Sequence, residues 1–184
     1  MKKILIVEAR FYPEISDLLL NGAKNAIESY GVLENGNLVR YLEATNSGEN
    51  FYKPKEDFRY SPNGKAPEDI RLQYDIVNVM GALEIPAVIS YAIQSKKYIG
   101  FIALGCVIRG ETSHYDIVAN ESAQGLMTLS LKKHAAIGNA ILTVENKEQA
   151  IVRADPSQKN KGGFAVEACI SMIELQKQFD LNDK

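Results

Sequence analysis

An α/β sandwich of three layers, with helices on both faces of a central four-stranded parallel sheet, is the fold class this sequence predicts. Three observations predict it. Four short runs of β-branched and aliphatic residues recur along the chain, each is followed by a stretch with helical apolar spacing, and the runs are apolar almost without interruption. Continuous apolar runs mark strands buried on both faces, and parallel neighbours need crossovers long enough to be helices. With 184 residues, 46% of them hydrophobic, the chain can bury one real core, so a single domain spanning residues 1–184 is expected.

The elements follow in order. Ile4 to Val7 is the first strand, and Glu14 to Tyr30 switches to helical spacing, with Ile15, Leu18, Leu19, Ala23 and Ile27 on one side. Gly31 is placed to cap that helix. "YDIVNVMG" is the second strand, followed by the helical "ALEIPAVISYAIQSKK". "YIGFIALGCVI" is the third, followed by the helical "HYDIVANESAQGLMTLSLKKHA". "AAIGNAILTV" is the fourth, and "NKEQAIVRA" and "GGFAVEACISMIELQKQF" are the closing helices. The segment from Val32 to Gln73 breaks this rhythm. It is rich in Asn, Gly, Pro and charge and too long for an ordinary connection, so it reads as a surface insertion at about 32–73. A solvated, partly mobile loop is the expectation there, with an edge strand or short helix at "NLVRYLEA" as the alternative.

Composition excludes several classes of function. The formal net charge is −2, which gives no general attraction to nucleic acid or to an anionic membrane, so any anion site must be local. Cys106 and Cys169 stand far apart without CxxC spacing, which suits a reducing cytoplasm. The opening "MKKILIVEARF" has only four apolar residues before Glu8 and Arg10, too few for a signal peptide, and no run reaches membrane-spanning length.

Ligands of such sheets bind beyond the carboxyl ends of the strands. No GxGxxG or GxxxxGK[ST] follows any of the four strands, which weakens nucleotide-cofactor readings. "GETSH", at the junction of the third strand and its helix, offers another kind of anion site, because first-turn N–H groups and the helix dipole both favour a phosphate. Ser113 and Asp116 also have the spacing of a capping box, which would use those N–H groups without any ligand. Histidine is the side chain best suited to moving protons near neutrality, and His114 stands where such a residue would be useful. On the same rim, Phe11 offers a ring face to a flat heterocycle, though packing is the commoner use of such an aromatic. Glu84 offers hydrogen-bond acceptance to ligand hydroxyls or, alternatively, a favourable charge at a helix start. Arg153 and Lys161 follow the fourth strand and are within reach of a phosphate, unless they are merely solvated cations.

"ARFY", "GALEIP", "GCVIRGETSHYD", "NESAQGL", "ILTVEN", "QAIVRA" and "NKGG", in this order, resemble the lumazine synthases of riboflavin biosynthesis over the whole chain apart from the insertion. The resemblance implies a flavodoxin-like sandwich assembled as a homo-oligomer, with pentamers, decamers or sixty-subunit shells built around active sites between neighbours. It implies a transferase that condenses 5-amino-6-(D-ribitylamino)uracil with 3,4-dihydroxy-2-butanone 4-phosphate to 6,7-dimethyl-8-ribityllumazine, using no cofactor and no metal. Residue by residue, it makes Phe11 the ring stacked on the pyrimidine, and Ala82, Leu83 and Glu84 the contacts to uracil and ribityl chain. It gives Cys106, Val107 and Ile108 backbone contacts to the pyrimidine, Glu111 and Thr112 the phosphate, Arg153 its cation, and His114 the proton. Asn139 departs from the family, where a phenylalanine from the adjacent subunit is common; Tyr12 and Met80 replace a common asparagine and proline. A pentamer, or at most a decamer, is expected, the insertion standing against a closed shell. The competing expectation is a non-catalytic flavin or lumazine binder on the same fold.

Overall fold

A computed structural model describes residues 3–43, 58–61 and 63–181. Its first strand shows how the layers arise. In β1 (Lys3–Ala9), Ile4 and Ile6 join one buried cluster while Leu5, Val7 and Ala9 join another, because successive side chains of a strand leave on opposite faces. The first cluster is completed by Ile15, Leu19, Ala23 and Ile27 of α1 (Pro13–Glu28) and by Ala165, Val166, Cys169, Ile170 and Ile173 of α5 (Lys161–Gln178). The second is completed by Ile85 and Ile89 of α2 (Ile85–Ser95) and by Leu126 and Leu129 of α3 (His114–Lys133). Three layers follow from that division.

The central sheet is parallel throughout. Its strand order is β5 (Gln73–Val79), β1, β6 (Gly100–Ile108), β7 (Ile137–Val144), with Ile6 opposite both Ile76 and Ile102, and Cys106 opposite Leu142. The four strands and the flavodoxin-like order agree with the sequence expectation. The direction of winding reverses between β1 and β6, which is where such sheets open a crevice at their carboxyl ends. α4 (Lys147–Ala154) follows β7, capped by the Asn146 side chain, which accepts a hydrogen bond from the Gln149 N–H. Close approach of α5 to β7 depends on Gly138, where a Cβ would strike the Ala165 carbonyl.

The region between α1 and β5 differs from the loop expectation. Tyr30–Val32 (β2), Leu38–Glu43 (β3) and Phe58–Ser61 (β4) form a second, three-stranded sheet in the order β2-β3-β4. Val39 and Tyr41 point inward at the two-residue period of a strand and bury against Ala66, with Leu33 and Ile70 beside them. Gly31 therefore lies within β2, not at a helix cap; α1 ends at Glu28, with Ser29 as its cap. The Tyr30 hydroxyl donates to Glu167 at 2.6 Å and Arg40 pairs with the same carboxylate at 3.0 Å, which ties this sheet to α5. Burial, with the Glu167 charge, pushes the Tyr30 phenol well above its usual range, so the hydroxyl stays a donor. The remainder of the predicted insertion, residues 44–57 and 62, lies outside the described residues.

Candidate functional site

The carboxyl ends of β1, β5 and β6 enclose a cleft of about 450 Å³. Each wall comes from a different connection. Phe11 stands between β1 and α1 and is 70% exposed, its ring meeting Tyr12 in an edge-type contact at 5.0 Å between centroids. It is not a core side chain; it is an aromatic face turned to the cleft. β5 passes through Met80 and Gly81 into a single 3₁₀ turn, Ala82–Glu84, that runs on into α2. A Cβ at Gly81 would sit 3.1 Å from Glu84 Oε2, so the glycine leaves space for that carboxylate. The end of β6 contributes Cys106, Val107 and Ile108, the first two buried. Burial pushes the Cys106 thiol up to about 12, which keeps it protonated and removes it from consideration as a nucleophile.

The fourth wall is the turn after β6 and the head of α3. Gly110, Thr112 and His114 line the cleft there, joined by Tyr115 and Val118. The capping box does not form: Ser113 makes no side-chain cap bond, and both Asp116 carboxylate oxygens are held by Arg109 at 3.1 and 3.3 Å. Among the described residues, the N–H groups of Thr112 and Ser113 have no acceptor, and that of His114 reaches only the Thr112 hydroxyl, at 3.4 Å. A helix start with open donors is an anion site in waiting. The imidazole of His114 is exposed, with no hydrogen-bond partner among the described residues. Glu111 is on the same exposed turn without lining the cleft.

Among the described residues no lysine or arginine lines this cleft. The predicted cations lie elsewhere, in a second concavity of about 230 Å³ formed by Asn139 and its neighbours on β7 with Arg153 and Lys161. Asn139 Oδ1 accepts from the Ile141 N–H at 2.8 Å, which leaves the amide NH₂ facing outward. Arg153 Nη1 donates to the Gln149 carbonyl at 3.0 Å, and the Lys161 ammonium lies 4.7 Å from the Phe164 ring centre. β5 and β7 are the two edges of the central sheet. The first cleft therefore opens where β5, β1 and β6 end, and the second lies along the opposite edge.

The structure thus brings Phe11, Ala82, Leu83, Glu84, Cys106, Val107, Ile108, Thr112 and His114 together, and it separates them from Asn139, Arg153 and Lys161. Sequence reasoning from the residues missed Tyr115 and Val118, although Val118 is one helical turn from His114 and so on its face. It also missed Arg109, whose two acidic partners, Asp116 and Glu145, lie 7 and 36 residues away. Among the described residues no group of three or more His, Cys, Asp or Glu is arranged to hold a metal, and no helix is long and apolar enough to cross a membrane.

Comparison with known proteins gives a consistent result. A family model described as 6,7-dimethyl-8-ribityllumazine synthase matches residues 65–177. A protein of that name from Bartonella tribocorum is 47% identical over 180 residues, covering 97% of this chain and 93% of the other. One from Zymomonas mobilis is 44% identical, covering 97% and 99%, and one from Novosphingobium aromaticivorans is 41% identical, also covering 97% and 99%.

Proposed function

The chain belongs to the 6,7-dimethyl-8-ribityllumazine synthase family, and on that premise we propose how its two concavities carry the reaction. The activity is the condensation of 5-amino-6-(D-ribitylamino)uracil with 3,4-dihydroxy-2-butanone 4-phosphate, a transferase step of riboflavin biosynthesis. The non-catalytic binder is not favoured, since the relatives are named as synthases.

One observation carries the assignment of the site. The cleft at the sheet's switch point gathers a free aromatic face, a carboxylate, an unpartnered imidazole and a helix start with open N–H groups. Phe11 stacks on the pyrimidine, Glu84 accepts from the ribityl hydroxyls, and the backbone of Ala82, Leu83 and residues 106–108 frames the ring. The phosphate sits on the N–H groups of Thr112 and its neighbours, Glu111 contributing through its backbone. The amine attacks the ketone, water leaves to give a Schiff base, phosphate is eliminated, and ring closure releases a second water. His114 moves protons in these steps, and much of the acceleration comes from holding two substrates together.

A phosphate in this cleft still lacks a cation, and Arg153 with Lys161 stands on the other edge of the sheet. A neighbouring subunit offering its β7 edge to this cleft completes the site. Such a contact is head-to-tail, and head-to-tail contacts that close make rings. Exposed Ile76 and Val77 on β5, Met80 beside the cleft, and Phe164 beside Lys161 fit surfaces buried by neighbours. A ring of five subunits, a pentamer or at most a decamer, is the assembly we propose from the resemblance, with the chain acting as one domain that bears residues 32–73 as a surface addition. The location that suits its two buried thiols is the cytoplasm. The test is turnover of the purified protein with both substrates, followed by lumazine absorbance. His114→Ala is expected to slow it by about ten- to a thousandfold with the unfolding midpoint unchanged; a variant as fast as the native protein refutes the role given to His114.

A further inference from the structure

Arg109 is the last residue before the anion-binding turn, and its surroundings are unusually specified for an exposed side chain. Its N–H donates to the Val144 carbonyl at 2.9 Å, which fixes its backbone at the end of β7. One edge of its guanidinium forks onto Asp116, with Nη2 to Oδ1 at 3.1 Å and Nη1 to Oδ2 at 3.3 Å. The other edge, through Nε, reaches Glu145 at 3.0 Å. Its carbon Cζ lies 3.9 Å from the centre of the Tyr115 ring, which itself lines the cleft. Isolated surface ion pairs do little, but a planar fork held by two carboxylates and a ring face has one orientation.

The consequence concerns Asp116. Ser113 and Asp116 have the spacing at which the acidic side chain folds back onto the N–H of the capping residue. That N–H is among the open donors at the head of α3. A carboxylate there would occupy the donors and oppose a second anion. We propose that Arg109 is a positioning residue that keeps the phosphate site at the head of α3 open by holding the Asp116 carboxylate away from it. The inference rests on the phosphate assignment made above, and it gives Asp116 no contact with substrate.

Four proteins test it: the native enzyme, Arg109→Gln, Asp116→Asn and the double variant. For each, KM is measured separately for the butanone phosphate and for the pyrimidine, along with competition by inorganic phosphate. Arg109→Gln frees the carboxylate, so KM for the butanone phosphate and the inhibition constant for inorganic phosphate are expected to rise about tenfold, with the pyrimidine KM unchanged. Asp116→Asn alone leaves both near native values, and the double variant returns them to within about threefold, because no charge remains to compete. A double variant as weak as Arg109→Gln overturns the proposal, as does an Arg109→Gln that weakens both substrates alike. If inorganic phosphate does not compete with the butanone phosphate on the native enzyme, the phosphate assignment itself fails and this inference falls with it. Should Arg109→Gln not fold, Arg109→Lys, which can pair with one carboxylate at a time, is expected to show an intermediate KM that Asp116→Asn relieves, and no relief overturns the proposal equally.

Discussion

If His114 and Arg153 of one working site come from different subunits, two impaired variants will repair each other. His114→Ala removes the proton carrier from the cleft, and Arg153→Ala removes the cation from the β7 edge, while each leaves the other concavity whole. In a ring joined head-to-tail, every site pairs the cleft of one subunit with the β7 edge of the next. A working site in a mixed ring needs an Arg153→Ala subunit supplying the cleft and a His114→Ala subunit supplying the edge. With equal amounts mixed at random, each condition is met half the time, so about a quarter of the sites are intact whatever the ring size. The assay is lumazine formation by the two variants alone and after co-expression or joint refolding, with the variants carrying different affinity tags so that purification on both tags in turn isolates mixed rings. With the butanone phosphate held well below its native KM, recovery to at least about a quarter of native activity is expected, above either variant alone. Mixed rings that stay at the level of the separate variants would mean that His114 and Arg153 act within one chain, and the shared-site reasoning would be wrong.

Other consequences are more local. Arg153→Ala alone is expected to raise KM for the butanone phosphate by about tenfold or more while sparing the pyrimidine, since a charge-assisted contact is lost; equal loss for both substrates, read from steady-state kinetics, assigns Arg153 to subunit packing instead. Cys106, whose thiol burial pushes up to about 12, should resist iodoacetamide at mildly alkaline pH, because only about one thiol in ten thousand is then ionised. Rapid alkylation of Cys106, read by mass spectrometry, contradicts the buried geometry. Asp75, paired with Lys3 at 3.0 Å and accepting from the Tyr98 hydroxyl at 2.9 Å, is held below the usual carboxylate range by those two bonds. A depressed folded-state pKa gives stability that is present above the ordinary carboxyl pKa and lost as pH falls through the folded value. Asp75→Asn should therefore cost at most about 1 kcal/mol at neutral pH, given its exposure, and the difference between native and variant unfolding free energies should shrink as the pH falls through the folded-state pKa, below the ordinary carboxylate range; a difference that stays constant into acid refers the effect to packing.

The two inner strands of the central sheet, β1 and β6, are buried almost throughout as their apolar runs predict, whereas the edge strands are not buried on both faces: β7 alternates and β5 is half-exposed to exposed in this chain. β6 is nine residues long and buried at all but its last; its shortness, its flanking glycines and its β-branched and aromatic residues distinguish such a run from a buried helix. Of the second sheet only β3 was legible, as the alternative of an edge strand at "NLVRYLEA"; its pattern is weak because Val39 and Tyr41 alternate inward in a stretch surrounded by Asn, Gly and charge. Its partners, β2 and β4, are three and four residues long, below the length at which a period of two can be told from chance. The cleft was readable wherever its residues follow a strand directly, as Phe11, Ala82 to Glu84 and His114 do. Distance in sequence hid the rest. Ser113 and Asp116 satisfy a local rule for helix capping, yet Arg109 reaches Asp116 across the turn and joins it to Glu145, 36 positions along the chain. A capping bond contributes about 1 kcal/mol, and a forked guanidinium with a stacked ring is enough to outbid it. Local rules say which donors a helix start possesses; the tertiary partner of the competing carboxylate decides whether they remain open for a ligand.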